Sequence, residues 1–308
     1  RSETLEGKVY VRRQEPGFGL GQQSGSETGT MKTGGDFTYR ITKPWTAGVE
    51  LFRQEALTTG AVRDMAELRS GYATEKYTVL AGLRHAEDTL GTGAAKRSEQ
   101  AFAGLNYQMT GRLSTRVRRD QSIGSNGNVD SPTRTTVGAD YKLNESATLF
   151  ADQEWTNGAS QDTATSRLGL KATPWTGGQI GSTVEQQTTE NGTRLFSTTG
   201  LKQTWQVTKR WTLDGGLDRS ATLRDSGAYS LNTNVPAASG SSMDFTAVSL
   251  GAGYRQEKWS WTGRAENRVS ETEDKFSTFN GANGEVRDGL ALAAGLQTYR
   301  SVTVTGSG

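Results

Sequence analysis

The chain has 308 residues, 32% hydrophobic and 22% charged, with 39 glycines, 5 prolines, no cysteine and a formal net charge of +2. That leaves little apolar material for the two soluble cores its length would suggest, yet 7 tryptophans, 9 tyrosines and 9 phenylalanines argue against disorder. The composition excludes disulfides and thiolate metal sites, the single histidine (His85) excludes a multi-histidine metal or haem site, and the balanced charge gives no case for a nucleic-acid partner. No cofactor is expected.

In chain order, almost every apolar cluster alternates with polar residues at period two. Thr46 to Gln54 puts Ala47, Val49 and Leu51 on one face, and Tyr77 to His85 sets Tyr77, Val79, Ala81 and Leu83 against Thr78, Gly82 and Arg84. Val137, Ala139, Tyr141 and Leu143 oppose Arg134, Thr136, Asp140 and Lys142. Ala147, Leu149, Ala151 and Trp155 oppose Thr148, Asp152 and Glu154. Trp259, Trp261, Gly263 and Ala265 oppose Ser260, Thr262, Arg264 and Glu266. Such alternation marks strands with two unlike faces. No stripe of helical period stands out, and no run of about 18 apolar residues suggests a membrane helix. The chain is expected to be all-β.

Short polar connections (Thr42–Pro44, Thr74–Lys76, Met109–Gly111, Asn144–Glu145, Pro174–Thr176, Thr208–Lys209, Glu257–Lys258) alternate with longer polar stretches. The longer ones are Glu15–Gly34, Glu55–Asp64, Glu87–Arg97, Gln121–Pro132, Thr156–Thr163, Thr188–Gly192, Ala221–Met243 and Ser270–Arg287. About sixteen strands of about ten residues lie between them, the length a tilted strand needs to cross a bilayer. A single antiparallel up-and-down transmembrane β-barrel, with short periplasmic turns and long external loops, accounts for this asymmetry better than a sandwich, a propeller or a stalk of repeats. Residues 1–300 are expected to form the barrel. Residues 301–308 are read as a tail or the start of a segment cut from a longer chain, and a start at Arg1 without methionine or signal peptide reads as a processed or excised piece.

Beside the short turns, the apolar parity carries Tyr39, Trp45, Tyr77, Tyr107 and Tyr141, then Trp175, Trp205, Trp211, Tyr254 and Trp259. Rings of this kind favour the membrane interface, where an apolar body meets a wet edge. Near the long loops, Trp155 and Phe245 are the clearer candidates.

The other parity would line the lumen. Its candidate pore-lining residues are Arg84, Arg112, Arg116, Arg118, Arg134, Lys142, Arg167, Lys171, Arg264 and Arg268, with Glu50, Asp140, Asp152 and Glu154. Charges at this density belong in water or in paired networks. Arg112, Arg116 and Arg118 read as an unrelieved basic ladder on one strand face. No catalytic group is expected: His85 shares its face with Leu83 and Glu87, and Glu87 could orient the imidazole, but no nucleophile follows. Asp152 and Glu154 could mimic a catalytic carboxylate pair, but read more simply as solvated wall. The glycine-rich Gly17–Gly21 precedes no helix, which argues against a phosphate loop, and Asn191-Gly192 reads as a tight hairpin turn.

As a whole the chain resembles a Gram-negative outer-membrane β-barrel of porin-like size. Its last third, through Gly216–Ser220, Asn234–Pro236, Asp244–Tyr254 and Lys258–Arg264, resembles the C-terminal barrel regions of very large multidomain bacterial surface proteins. The resemblance implies an outer-membrane location. Two features depart from it: no long third loop stands out, and the chain does not finish on an aromatic residue. The expected function is a water-filled, mildly basic pore for ions or small solutes, with the lipid bilayer as its surroundings. The alternative is an anchor or conduit for covalently linked domains outside this chain.

Overall fold

The computed structural model describes residues 4–14, 29–89, 95–124, 132–158, 161–226, 229, 244–287 and 290–303. Its first strands are β1 (Leu5–Gln14), β2 (Thr30–Arg40), β3 (Trp45–Ala56), β4 (Val62–Ala73), β5 (Tyr77–Thr89) and β6 (Lys96–Gln108). They are followed by β7 (Leu113–Ile123), β8 (Thr133–Lys142), β9 (Ala147–Asn157), β10 (Asp162–Ala172), β11 (Gly178–Thr189) and β12 (Gly192–Gln206). The chain continues through β13 (Trp211–Asp225), β14 (Phe245–Arg255), β15 (Trp259–Ser270), β16 (Glu273–Arg287) and β17 (Leu290–Thr303). Each strand pairs antiparallel with the next, so the sheet is all up-and-down.

The register follows from the period-two pattern. One row across β2–β6 reads Phe37, Val49, Leu68, Leu83 and Ala101, and the row beside it reads Asp36, Glu50, Glu67, Arg84 and Gln100. A slip of one residue at any pairing would put charge among the apolar side chains, which is why alternation specifies register so strongly. The apolar face is the exposed one: Leu51, Leu68, Leu83, Leu168 and Leu250 are each more than half accessible. The polar face holds the buried groups, including Glu185, Asp120 and Phe196. That inversion is what a barrel in lipid requires.

Among the described residues there are 17 strands, against about 16 expected. Ser270–Arg287, which reads as a loop, is mostly β16, joined to β15 through residues 271–272. After Phe276 its outward positions are Thr278, Asn280, Ala282 and Gly284, so no apolar alternation announces it. Pairing on both sides, with Trp261 opposite Ala282 and Ala282 opposite Ala294, makes it a strand. β17 runs to Thr303, past the expected limit at residue 300.

The connections at residues 41–44, 74–76, 109–112, 143–146, 173–177, 207–210 and 256–258 are short as expected. At the other end, 226–244 is long, but 158–161, 190–191 and 271–272 are as tight as the short turns. Strict short/long alternation therefore does not hold. Gly17–Gly21 and Asn234–Pro236 lie outside the described residues.

Among the described residues β1 pairs only with β2 and β17 only with β16. With an odd number of up-and-down strands, β1 and β17 run in the same direction.

Candidate functional site: an ion-paired inner wall

The expected wall residues on strands all fall on the polar parity, but the basic ladder does not form. Arg112 lies in the turn 109–112, outside β7, and is exposed. Arg116 is shared between Asp140 on β8 and Asp152 on β9. Arg118 bonds Asp120 at 2.9 Å, and Arg134 approaches the same carboxylate at 3.6 Å. The charge of Arg118 is thus relieved by an aspartate two residues along the same strand face, and that of Arg116 by aspartates on the next two strands. Gly138, directly between Arg116 and Asp152, has no side chain to block the bridge. A Cβ there would collide with Asp152 and stand 2.7 Å from Arg116 Nε.

These bonds belong to a belt of alternating charge. Arg69 pairs with Asp36 and stands 3.8 Å from Glu50 and 3.7 Å from Glu67. Arg84 donates twice to Glu67, at 2.9 and 2.7 Å, and to Gln100 at 3.1 Å. Phe102 carries the belt across β6, with Arg84 at 5.5 Å and Arg118 at 5.3 Å from its ring centroid. Further round, Arg167 stands 3.8 Å from Asp152 and bonds the fully buried Glu185 at 2.8 Å. Glu154, by contrast, receives Thr136 and Thr156 hydroxyls at 3.3 and 3.5 Å, so Asp152 and Glu154 have different partners and do not act as a pair. Glu50 also accepts from Tyr10 at 3.3 Å.

Inward phenylalanines are a second device that the alternation hid. Phe52, Phe102 and Phe150 lie opposite Gly34, Gly82 and Gly169 on neighbouring strands, and the Phe102 and Phe150 rings cover the missing side chains of Gly82 and Gly169. A cation sits over most of these inward rings: Lys32 over Phe52 at 3.7 Å, Lys171 over Phe150 at 4.8 Å, Arg194 over Phe196 at 4.5 Å and Arg268 over Phe245 at 3.9 Å. Phe245 is therefore buried inside and is no part of an outer girdle, whereas Trp155 is exposed as expected.

Not every wall charge is neutralised. Among the described residues Lys142, Lys171, Lys202, Asp214 and Asp218 form no ion pair. Lys171, Lys202 and Asp218 border a cavity of about 520 Å³ whose floor includes Gly181 and Gly200. Arg264 donates to Ser249 at 2.9 Å and stands 3.8 Å from Glu266.

At the far end, Asp244, just before β14 in the connection from β13, is held by β12 and β13. Burial pushes its carboxyl up, but the Thr222 amide at 2.8 Å, the Thr222 hydroxyl at 2.7 Å and Arg194 at 2.9 Å outweigh that and hold it below the ordinary aspartate value. Tyr229, within the same connection, donates its hydroxyl to Gln187 on β11.

On the outside, the ten expected girdle aromatics lie at or beside the short turns, and nine are clearly exposed, Tyr254 being half-buried. The ring belt also includes Tyr72, stacked on Tyr77 at 6.1 Å, and Trp261, 6.3 Å from Trp211. Both follow from the parity of Ser70–Tyr72 and Trp259–Trp261. His85 faces outward beside Glu99 at 3.7 Å, while Glu87, the partner expected from sequence, bonds Arg97 at 2.9 Å.

No protein-family model matches the chain, and no curated protein matches it in sequence. Solved structures do resemble it. The siderophore receptor PirA from Pseudomonas aeruginosa superposes with a TM-score of 0.57 at 12% identity, over 97% of this chain and 66% of the receptor, so the chain spans a little under two thirds of that protein's length. FpvAI in its complex with pyocin S2 gives a TM-score of 0.50 at 11% identity, over 86% of this chain and 50% of the other. OccK10 (OpdN) from P. aeruginosa gives 0.49 at 12% identity, over 96% and 92%. At such identities the likeness is one of architecture. The fold is that of bacterial outer-membrane β-barrels.

Proposed function

We propose that the chain forms a water-filled pore in the bacterial outer membrane for passive passage of ions or small solutes. The observation that carries this reading is the presence, among the described residues, of inner-wall charges without an ion pair, including Lys8, Lys142, Lys171, Lys202, Lys275, Glu154, Asp214 and Asp218. Ionised groups without partners are tolerated only in contact with water, and a wall of this many strands is too wide for side chains to fill. Lys8, Lys142, Lys171, Lys202 and Lys275 against Glu154, Asp214 and Asp218 give the wall a mildly basic balance and a modest preference for anions. We assign no catalysis to it. In lipid the outer edges of β1 and β17 need hydrogen-bond partners, and a direct seam between them would be parallel.

The test is single-channel conductance of the refolded protein in a planar bilayer under a salt gradient. Stable conductance with a modest anion preference is expected. Absence of any conductance sinks the pore and leaves the second reading, an anchor or conduit for a larger surface protein, which rests on the resemblance carried by Gly216–Arg264. Cation preference sinks the basic-wall part alone.

A further inference from the structure

We propose that a recess in the inner wall, floored by Gly181 and Gly200, binds a dipeptide-sized zwitterion, which rests on the reading of the lumen as water-filled.

The recess follows from register. One inward row runs Lys171 on β10, Gly181 on β11, Gly200 on β12 and Asp218 on β13. Two glycines in succession hold the charged residues three strand spacings apart, about 15 Å between Cα atoms. The two side chains do not meet, and neither has an ion pair or hydrogen bond among the described residues. Lys171 turns to the Phe150 ring on β9, its ammonium 4.8 Å from the centroid. Asp218 leans over Gly200, with Oδ1 2.8 Å from where a Cβ would stand. A Cβ at Gly181 would meet nothing within 4 Å, which holds for no other inward strand glycine among the described residues. Elsewhere the space is taken, at Gly82 by Phe102 and at Gly138 by Arg116 and Asp152.

Neighbouring rows close the recess. On the short-turn side Gln179 lies opposite Lys202, and neither side chain has a partner among the described residues. On the other side Thr183 lies opposite Thr198, their hydroxyls bonded to each other. The space so enclosed is the cavity of about 520 Å³, which Glu145 borders from the turn 143–146. Two lysines therefore face two carboxylates, with no net charge.

Charges of opposite sign at the two ends of an open floor are complementary to a molecule that carries both. Its carboxylate meets Lys171 and Lys202, and its ammonium meets Asp218. The Gln179 amide and the Thr183 and Thr198 hydroxyls are left for a peptide group between them. A free amino acid carries both charges on one carbon, closer together than the two ends, whereas two extended residues span about 7 Å. A plain anion would use the lysines alone and be repelled by Asp218 and Glu145.

Binding to the full chain in detergent is measured by titration calorimetry with glycylglycine and with N-acetylglycylglycine, which lacks the ammonium. Glycylglycine is expected to bind about five-fold more tightly than the acetylated peptide. Asp218→Asn is expected to remove that difference. Asp214→Asn makes the same change on the same strand, but its carboxylate lies over Gly251 instead, and the difference is expected to remain. Gly181→Val fills the open floor and is expected to abolish binding, with folding of each variant checked by heat-modifiable migration. Equal binding of the two peptides overturns the zwitterion and leaves a plain carboxylate site. A difference that survives Asp218→Asn, or full binding in Gly181→Val, overturns the recess as the site. A chain that conducts but does not bind glycylglycine overturns the recess and leaves the pore, and a chain that binds it without conducting does the reverse.

Discussion

Along β4–β10 the inward Arg63, Arg69, Arg84, Arg116, Arg118, Arg134 and Arg167 each meet a carboxylate. Across β12–β14, Lys202, Asp214 and Asp218 share the wall with Gly200, Gly216 and Gly251 and make no ion pair among the described residues. The first region pairs its arginines and so ties strands to one another, with Lys142, Glu154 and Lys171 left without an ion pair; the second leaves both charge and space. If the barrel conducts, the field a solute meets comes mainly from the unpaired groups, while the paired arginines hold the wall in shape. An arginine on the wall is thus a poor guide to selectivity until its partners are known.

The largest expected effect comes from breaking the paired region. Arg167→Ala strands the buried Glu185 and removes one partner of Asp152, and unfolding in urea should show a loss of about 3 kcal/mol. Lys202→Ala in the open region should cost under about 0.5 kcal/mol in the same measurement. Equal costs would erase the distinction.

Glycines sharpen it further. Gly138→Ala drives a methyl group into the Arg116–Asp152 bridge and is expected to destabilise by about 1–3 kcal/mol. At Gly181 an added Cβ meets open space, and the change should stay within about 0.5 kcal/mol. The comparison needs only thermal midpoints of the two variants.

Selectivity should respond the other way round. Lys171→Gln with Lys202→Gln is expected to move the reversal potential toward cations while leaving the unfolding midpoint nearly unchanged. A shift in stability without a shift in potential would mean that these lysines brace the wall.

The smallest effect is pH-dependent. Asp244 is held below the ordinary aspartate value, so its contribution is fully present above that value, near pH 4, and is lost as pH falls through the lower folded one. Asp244→Asn should therefore lower the thermal midpoint at pH 7, and its difference from the parent chain should shrink toward pH 3. A constant difference would assign the effect to shape rather than charge.

Much of this molecule is legible in its sequence. Period-two alternation identifies which side chains share a face, and the rings at Trp45, Tyr77, Trp211 and Trp259 mark the short-turn end, because both signals are local. β16 escaped because its outward positions are Thr278, Asn280, Ala282 and Gly284; only hydrogen bonds to β15 and β17 make it a strand. Arg112 was misplaced by a shift at a strand boundary, where local pattern is weakest.

What the sequence determined by itself is the division into an apolar and a charged face, since a strand's geometry sends successive side chains to opposite sides whatever lies next to it. Which charges meet was decided by tertiary structure alone. Arg116 reaches Asp152 from 36 residues away because β7, β8 and β9 align them across Gly138. Register across strands is a long-range property, and it converts a basic ladder into an ion-paired belt.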